Sequence, residues 1–445
     1  MFKKIKKKSY INFVSILCAL LVPLFITGPF LPDLLVSLLS IGFLYYSFLN
    51  RKKKEIFKIY QNFYFYIFII FCLVCIISSL LSENILFSLE SSLFYFRIGI
   101  FALLMIYLIN KNKKILEYFY YSFLISFIAL VIDGNIQYFT GENLFGLKII
   151  SNRISSFFGD ELILGSYLAR LYPLFFALFI IKPKKNITEI ILVSVLFVSI
   201  DVLIFISGER TAFFLFNLST LFIIVFIRQF KLLRIIVFLC SFIIIFIIGS
   251  QNERLYSRFV ETPITSMGLD KANSEKKIFT STHDSLYRTS WNMFLDKPIL
   301  GHGPKLFRVK CKDEKFKVGD SKCHTHPHNF YIQLLAETGI IGFSFLFGLL
   351  IYFFYLIYKQ VINKYFLKRD FLSDYQICLL AGLLITIWPL IPNGSFFNNH
   401  LMLLYSLQIG FFRKKINIKK FGPFYKVEET LKKYINNFKH LIKKI

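Results

Sequence analysis

Acidic residues are scarce in this chain: 26 Asp and Glu stand against 53 Lys and Arg among 445 residues, a formal net charge of +27. Period-two alternation of apolar residues is missing, which excludes the strands of a membrane β-barrel. There is no P-loop, no HExxH and no paired CxxC, so neither nucleotide binding nor a zinc site is indicated. A small-x-small cleavage site is missing as well. Lys3 to Lys8 and the apolar stretch behind them resemble the start of a signal peptide. A second apolar block follows almost at once, so the segment reads as a retained helix.

What the chain has is apolar length. It is 56% hydrophobic, above the 45–50% usual for soluble domains, and its apolar residues come in blocks of roughly twenty, the length that crosses a ~30 Å hydrocarbon core as an α-helix. The pattern predicts spans at 11–30, 32–50, 59–82, 92–110, 115–139, 161–182, 188–207, 211–228, 232–250, 329–357, 375–392 and 397–412. The expected fold is an all-α integral membrane protein with about twelve transmembrane helices and a large periplasmic loop before the tenth. Its divisions are a bundle over 1–250 with nine helices, the loop over 251–328, the last three helices over 329–412, and a basic tail over 413–445. Val427, Leu431, Ile435, Phe438, Leu441 and Ile445 give that tail the spacing of an amphipathic helix on an anionic inner leaflet.

The excess charge sets orientation rather than pointing to nucleic acid. With the Lys-rich N-terminus inside, the clusters Arg51 to Lys54, Lys111 to Lys114, Lys182 to Asn186, Arg228 to Arg234, Lys359 to Asp370 and Arg413 to Lys420 all fall inside. That is the positive-inside pattern, with both termini cytoplasmic and an even number of spans. The long 251–328 segment then lies outside, where an ordered loop of that length is more often functional than ornamental.

Cys18, Cys72, Cys75, Cys240 and Cys378 lie in apolar spans and read as packing residues. Cys311 and Cys323 lie in the outer loop, where an oxidising compartment favours a disulfide worth about 3 kcal/mol. The run His324-Thr325-His326-Pro327-His328 could present a ligand face to a metal. Pro327 interrupts it and no carboxylate accompanies it, so no metal is assigned. Arg210 stands at the outer end of a span, and Arg153, Arg288 and Arg308 also lie outside. Arginines gathered at a membrane surface suit a lipid-linked phosphate or diphosphate; for Arg210 alone, pairing with Glu209 or snorkelling to lipid headgroups is the simpler reading. Asn329 is placed to cap the following helix. Glu337, two turns into that helix, should face a cavity or a cation, and Gly339 and Gly342 should let helices approach closely.

His328-Asn329, nine residues, Gly339, two residues and Gly342 together resemble the signature of the O-antigen ligase and O-antigen polymerase family. The turn Ser207 to Phe213, the run from Arg288 and Trp291 through Pro298, Gly301, His302 and Gly303, and the segment Arg153 to Leu168 resemble its other elements. The likeness covers roughly residues 150–345. It implies a metal-independent GT-C-type glycosyltransferase of lipopolysaccharide or surface polysaccharide biosynthesis, in a bacterial inner membrane with its site facing the periplasm, needing no cofactor. The donor would be an undecaprenyl-diphosphate-linked glycan. The acceptor would be lipid A–core for a ligase or another lipid-linked repeat for a polymerase, the former being the preferred reading. Arg210 and Arg288 would bind the diphosphate, with Arg153 and Arg308 as further contacts, and His328 would orient or deprotonate the acceptor. Asn329 and Glu337 would help position substrate. The family also admits a chain-length regulator as a partner. The Cys311–Cys323 segment and His324 and His326 depart from its common pattern. A lipid-linked glycan transporter is the alternative of another class, though no repeat relates the two halves.

Overall fold

The computed structural model describes residues 2–183, 185–269, 278–319 and 323–412, with the backbone alone over 2–8. The basic tail predicted over 413–445 lies outside them. Among the described residues there is no strand, only isolated bridges at Glu142–Lys148 and Ile150–Arg153.

The membrane helices are α1 (Phe2–Ala19, prolonged by short turns to Thr27), α2 (Phe30–Leu49), α3 (Phe63–Leu80), α4 (Phe96–Lys111), α5 (Lys114–Thr140), α6 (Leu164–Ile181), α7 (Ile187–Ile206), α8 (Arg210–Phe226) and α9 (Lys231–Gln251). A helix of the 251–328 segment, α10 (Ser281–Asp296), precedes α11 (Phe330–Val361), α12 (Asp374–Thr386) and α13 (Asn399–Phe412). Nine of the described helices are long and apolar enough to cross a membrane, and the protein is a multi-pass membrane protein. The other three predicted spans are the helices α8, α12 and α13, of 17, 13 and 14 residues. At 1.5 Å per residue they reach only about 20–26 Å.

The shortness of α12 corrects the span predicted at 375–392. The helix stops at Thr386, and residues 387–398 run as irregular chain past Pro389 and Pro392. Proline lacks the N–H that would continue the ladder, and irregular backbone at membrane depth survives only where protein encloses it or a cavity receives it.

α6 is the centre of the bundle, with every residue from Tyr167 to Ile180 buried. Polar side chains tie the surrounding helices. Arg234, placed by sequence in an inner loop, is instead fully buried in the first turn of α9. Its guanidinium meets Asp201 of α7 at 2.8 Å and Thr220 of α8 at 2.8 Å, and lies over the Tyr172 ring of α6. Asp374, at the start of α12, accepts from the backbone N–H groups of Arg228 and Gln229 and closes the turn between α8 and α9. At the opposite end of α5, Asp133 accepts from Leu144 N and Ser156 Oγ, while Gln137 accepts from Ser155 N and Ser156 N. These bonds fold residues 141–163 into an ordered clasp.

The segment 251–328 has a small core of its own. Leu286 and Met293 of α10 pack with Phe307, Cys311 and Phe316, and Ala336 of α11 closes the cluster. Cys311 and Cys323 are joined by a disulfide, with Cα atoms 5.5 Å apart, at its edge.

Candidate functional site

The site is built on a break in α11. Gly339 has φ +63° and ψ −167°, which interrupts the helix. The backbone groups freed there bond to the loop after α10. Ile340 N donates to Pro298 O at 2.8 Å, His302 N to Ala336 O at 3.0 Å and Gly303 N to Glu337 O at 2.8 Å. A Cβ on Gly339 would lie 2.3 Å from the Ile299 carbonyl carbon, and one on Gly301 would lie 2.4 Å from that of Glu337. The glycine spacing therefore docks a loop against a broken helix, which corrects the expectation of helix-to-helix contact for Gly339. A Cβ on Gly342 would meet the side chain of Thr338, one turn earlier in the same helix.

Glu337 is fully buried, and its carboxylate accepts from Phe307 N at 3.0 Å and Gln333 Nε2 at 2.9 Å. These bonds and the nearby charges of Lys305 and Arg308 meet its carboxylate, so it acts as a brace beneath the Gly301–Lys305 turn. Gln333 also bonds Ser395 Oγ and Phe396 N, which fastens the irregular 387–398 segment to α11.

At the head of α11, Asn329 accepts from Tyr331 N and Ile332 N as the helix cap and donates to Pro389 O at 2.6 Å. His328 just before it has φ +59°, and its carbonyl accepts from Asn393 N at 2.6 Å. Three more imidazoles surround its ring, with centroids 4.2 Å away for His326, 5.4 Å for His324 and 5.7 Å for His283 of α10. Burial, then the neighbouring His283 and His324, lowers the His328 pKa to about 4. Burial and His328 lower that of His326 to about 3. Both rings are neutral at physiological pH and hold a lone pair that can accept a proton. Among the described residues no group of three or more His, Cys, Asp or Glu side chains is arranged to hold a metal ion.

A second cluster adjoins the first. Glu209 does not pair with its neighbour Arg210. Its carboxylate turns to the start of α6 and accepts from Gly165 N at 2.7 Å and from Ser166 N and Oγ, with Arg153 at 3.5 Å. Arg210 is half-buried and has no hydrogen bond or ion pair among the described residues. Arg258, from the helical turns after α9, donates from Nε to Gly208 O at 2.5 Å. Burial, then the charges of Arg153 and Arg210, lowers its pKa to about 10. Only Arg153 pairs with Glu209 among the three, while Arg153, Arg210 and Arg258 lie within one another's field. Burial, His324 and Arg210 all lower the His283 pKa, so the arginine and imidazole clusters lie within each other's field.

Two of these contributors escaped the sequence reading. Arg258 sits in a loop rich in charge and carries no motif. Arg170 lies in the apolar run of α6, is buried, and donates to Asn393 Oδ1 at 2.7 Å. An arginine within an apolar span was the available signal for it. Arg288 is placed apart: it is exposed on α10 and ion-paired to Asp284 at 2.9 Å. Arg308 is half-buried, over the Phe87 ring, and its charge acts on His326.

No curated protein matches this chain. The stretch holding Arg210, Arg258, Arg288, His328, Glu337 and both glycines matches a family model described as O-antigen ligase, over residues 191–347. Over residues 191–347 this multi-pass membrane protein is thus similar to the O-antigen ligase family, a family of glycosyltransferase-like enzymes.

Proposed function

We propose that the protein transfers an undecaprenyl-diphosphate-linked glycan to a sugar hydroxyl on lipid A–core, at the periplasmic face of a bacterial inner membrane. One observation carries this reading: an arginine cluster with too few carboxylates to neutralise it adjoins a group of neutral imidazoles at one end of the bundle. Such an excess of positive charge is costly near hydrocarbon unless an anion completes it. Guanidinium groups suit a diphosphate through fork-like, charge-assisted bonds.

In this reading Arg210, Arg153 and Arg258 hold the donor diphosphate. The acceptor oxygen bonds to the anomeric carbon while the bond from that carbon to the diphosphate oxygen breaks. The electron pair leaves on the diphosphate, where the arginines stabilise it. The hydroxyl proton passes to an imidazole nitrogen of His328. Bound diphosphate raises the proton affinity of this ring, so a free-site pKa near 4 does not bar it from acting as the base. Arg288 would join by leaving Asp284 and turning onto the donor. Asn329 and Glu337 position the head of α11 and the Gly301–Lys305 turn without touching substrate. The orientation, with both termini cytoplasmic, is supported by the Lys and Arg clusters at the other end of the bundle.

The test is expression of wild type, Arg210→Ala and His328→Ala at matched levels in a host lacking its own ligase, followed by electrophoresis of lipopolysaccharide. Polymer on lipid A–core that disappears in both variants is the expected result. Lengthening of the lipid-linked glycan without capped core would make the protein a polymerase. Neither product, with stable protein and several donors tried, would overturn the transferase reading in favour of transport.

A further inference from the structure

A second polar site lies at the same end of the bundle and belongs to neither cluster. A cavity of about 200 Å³ opens between the start of α2, the short helix Ile85–Ser92, the start of α4, the start of α13 and Lys305. Asp33, Glu90, Tyr95, Arg97, Lys305 and Asn399 line it. Part of this lining is rigid. Arg97 meets Asp33 at 2.5 Å, and Asn399 Nδ2 donates to the other oxygen of the same carboxylate at 3.2 Å. Part is unsatisfied. Arg97 Nε is buried without a hydrogen-bond partner, and neither Glu90 nor Lys305 has a side-chain hydrogen bond or ion pair among the described residues. Lys305 is held there by a left-handed backbone, φ +64°, with the preceding Pro304 carbonyl accepting from Ser88 Oγ.

The charge of this cavity differs in kind from that of the arginine cluster. Two carboxylates face two cations, so no net charge calls for an anion. What remains is an array of donors and acceptors, beside a tyrosine, in fixed positions. That is the chemistry that recognises a neutral, hydroxyl-rich ring.

The cavity is also connected to His328. Residues 387–398 link them: Asn393 bonds the His328 carbonyl, and Phe396 and Phe397 pack on Tyr95 with centroids 6.3 and 6.0 Å away. Asn393 and Phe396 are three residues apart, at most about 11 Å of extended chain, so one oligosaccharide can touch both places. The arginine cluster is built from the start of α6, α8, the clasp before α6 and the helical turns after α9, none of which lines the cavity. Two substrates meeting at His328 need separate approaches, and these elements supply two.

We propose that this cavity binds a sugar ring of the acceptor, a role that rests on the transferase reading above. The lipid-linked donor keeps its diphosphate on the arginines, and the acceptor glycan enters past Tyr95 with one hydroxyl reaching His328.

The test separates binding from transfer. Full-length protein in nanodiscs is titrated with soluble core oligosaccharide, with binding read by saturation-transfer NMR, for wild type, Glu90→Gln, Lys305→Gln and His328→Ala. Glu90 and Lys305 make no side-chain hydrogen bond or ion pair among the described residues, and gel filtration checks that each variant is folded. Affinity should fall at least tenfold in Glu90→Gln and Lys305→Gln and persist in His328→Ala. In transfer assays the same two variants should raise the acceptor KM at least tenfold and leave the donor KM unchanged. Unaltered saccharide affinity in both variants, no binding by wild type, or a change confined to donor KM would overturn the proposal. Saccharide binding that depends on Glu90 and Lys305 in a protein that transfers nothing would keep the cavity's ligand and discard the transferase reading.

Discussion

At the scale of single residues, the site works by setting charge against burial. His328 is neutral because burial and two other imidazoles oppose its protonation. Its contribution to kcat/KM should therefore be flat from pH 8 down to about 5. It should fall as the pH drops through about 4, where the free-enzyme base becomes protonated. An isolated imidazole would give the same fall near 6.5. Replacing His324 by Gln removes one of the like charges that depress the pKa, so the midpoint should move upward; a pH–rate profile of purified enzyme checks both. His328→Ala itself should cost roughly 10²–10⁴-fold in kcat. Arg258 makes its one bond among the described residues through Nε, to Gly208 O. Arg258→Ala should raise the donor KM about tenfold or more, while Arg258→Lys, keeping charge but losing the fork, should recover only part. A KM unchanged in both variants would remove Arg258 from the diphosphate site.

At the scale of elements, the decisive feature is the interrupted α11. One segment of backbone is shared between a helix and the turn after α10, and Gly339 and Gly301 are where the two chains touch. Gly339→Ala forces a Cβ into the Ile299 carbonyl at a backbone angle that alanine adopts poorly. It should cost more than about 2 kcal/mol and abolish transfer. Gly348 in the same helix has open space around it. Gly348→Ala should leave the melting temperature of detergent-solubilised protein level or raise it slightly, since alanine favours helix by about 1 kcal/mol. Equal behaviour of the two variants would mean that the break in α11 does not hold the site. The sequence showed the spacing of His328, Asn329, Gly339 and Gly342 but not its purpose. Close helix packing and a docked loop demand the same small residue, and only the positive φ and the partner strand of chain tell them apart.

For the whole molecule, the buried ion pair of Arg234 and Asp201 fixes α7, α8 and α9 around α6. Arg234→Met should destabilise strongly, about 3–5 kcal/mol, because it leaves a buried carboxylate without its partner. The double variant Arg234→Met, Asp201→Leu should recover most of that loss, as judged by thermal unfolding in detergent. A double variant no better than the single would mean that the pair contributes more than mutual charge compensation.

The all-helical membrane plan could be read from the sequence alone, because a span must be apolar over its whole length and the chain shows this in one dimension. So could the ordered motifs around Arg210, Arg288 and His328, since each is local. Tertiary structure decided the rest. It turned Glu209 from Arg210 toward α6, carried Arg234 into the bundle, ended α12 early, and brought Arg170 and Arg258 to the site while leaving Arg288 on an exposed face. Each of those outcomes depends on which distant group a charge meets once water is excluded, and pairing of that kind leaves no periodic trace along the chain.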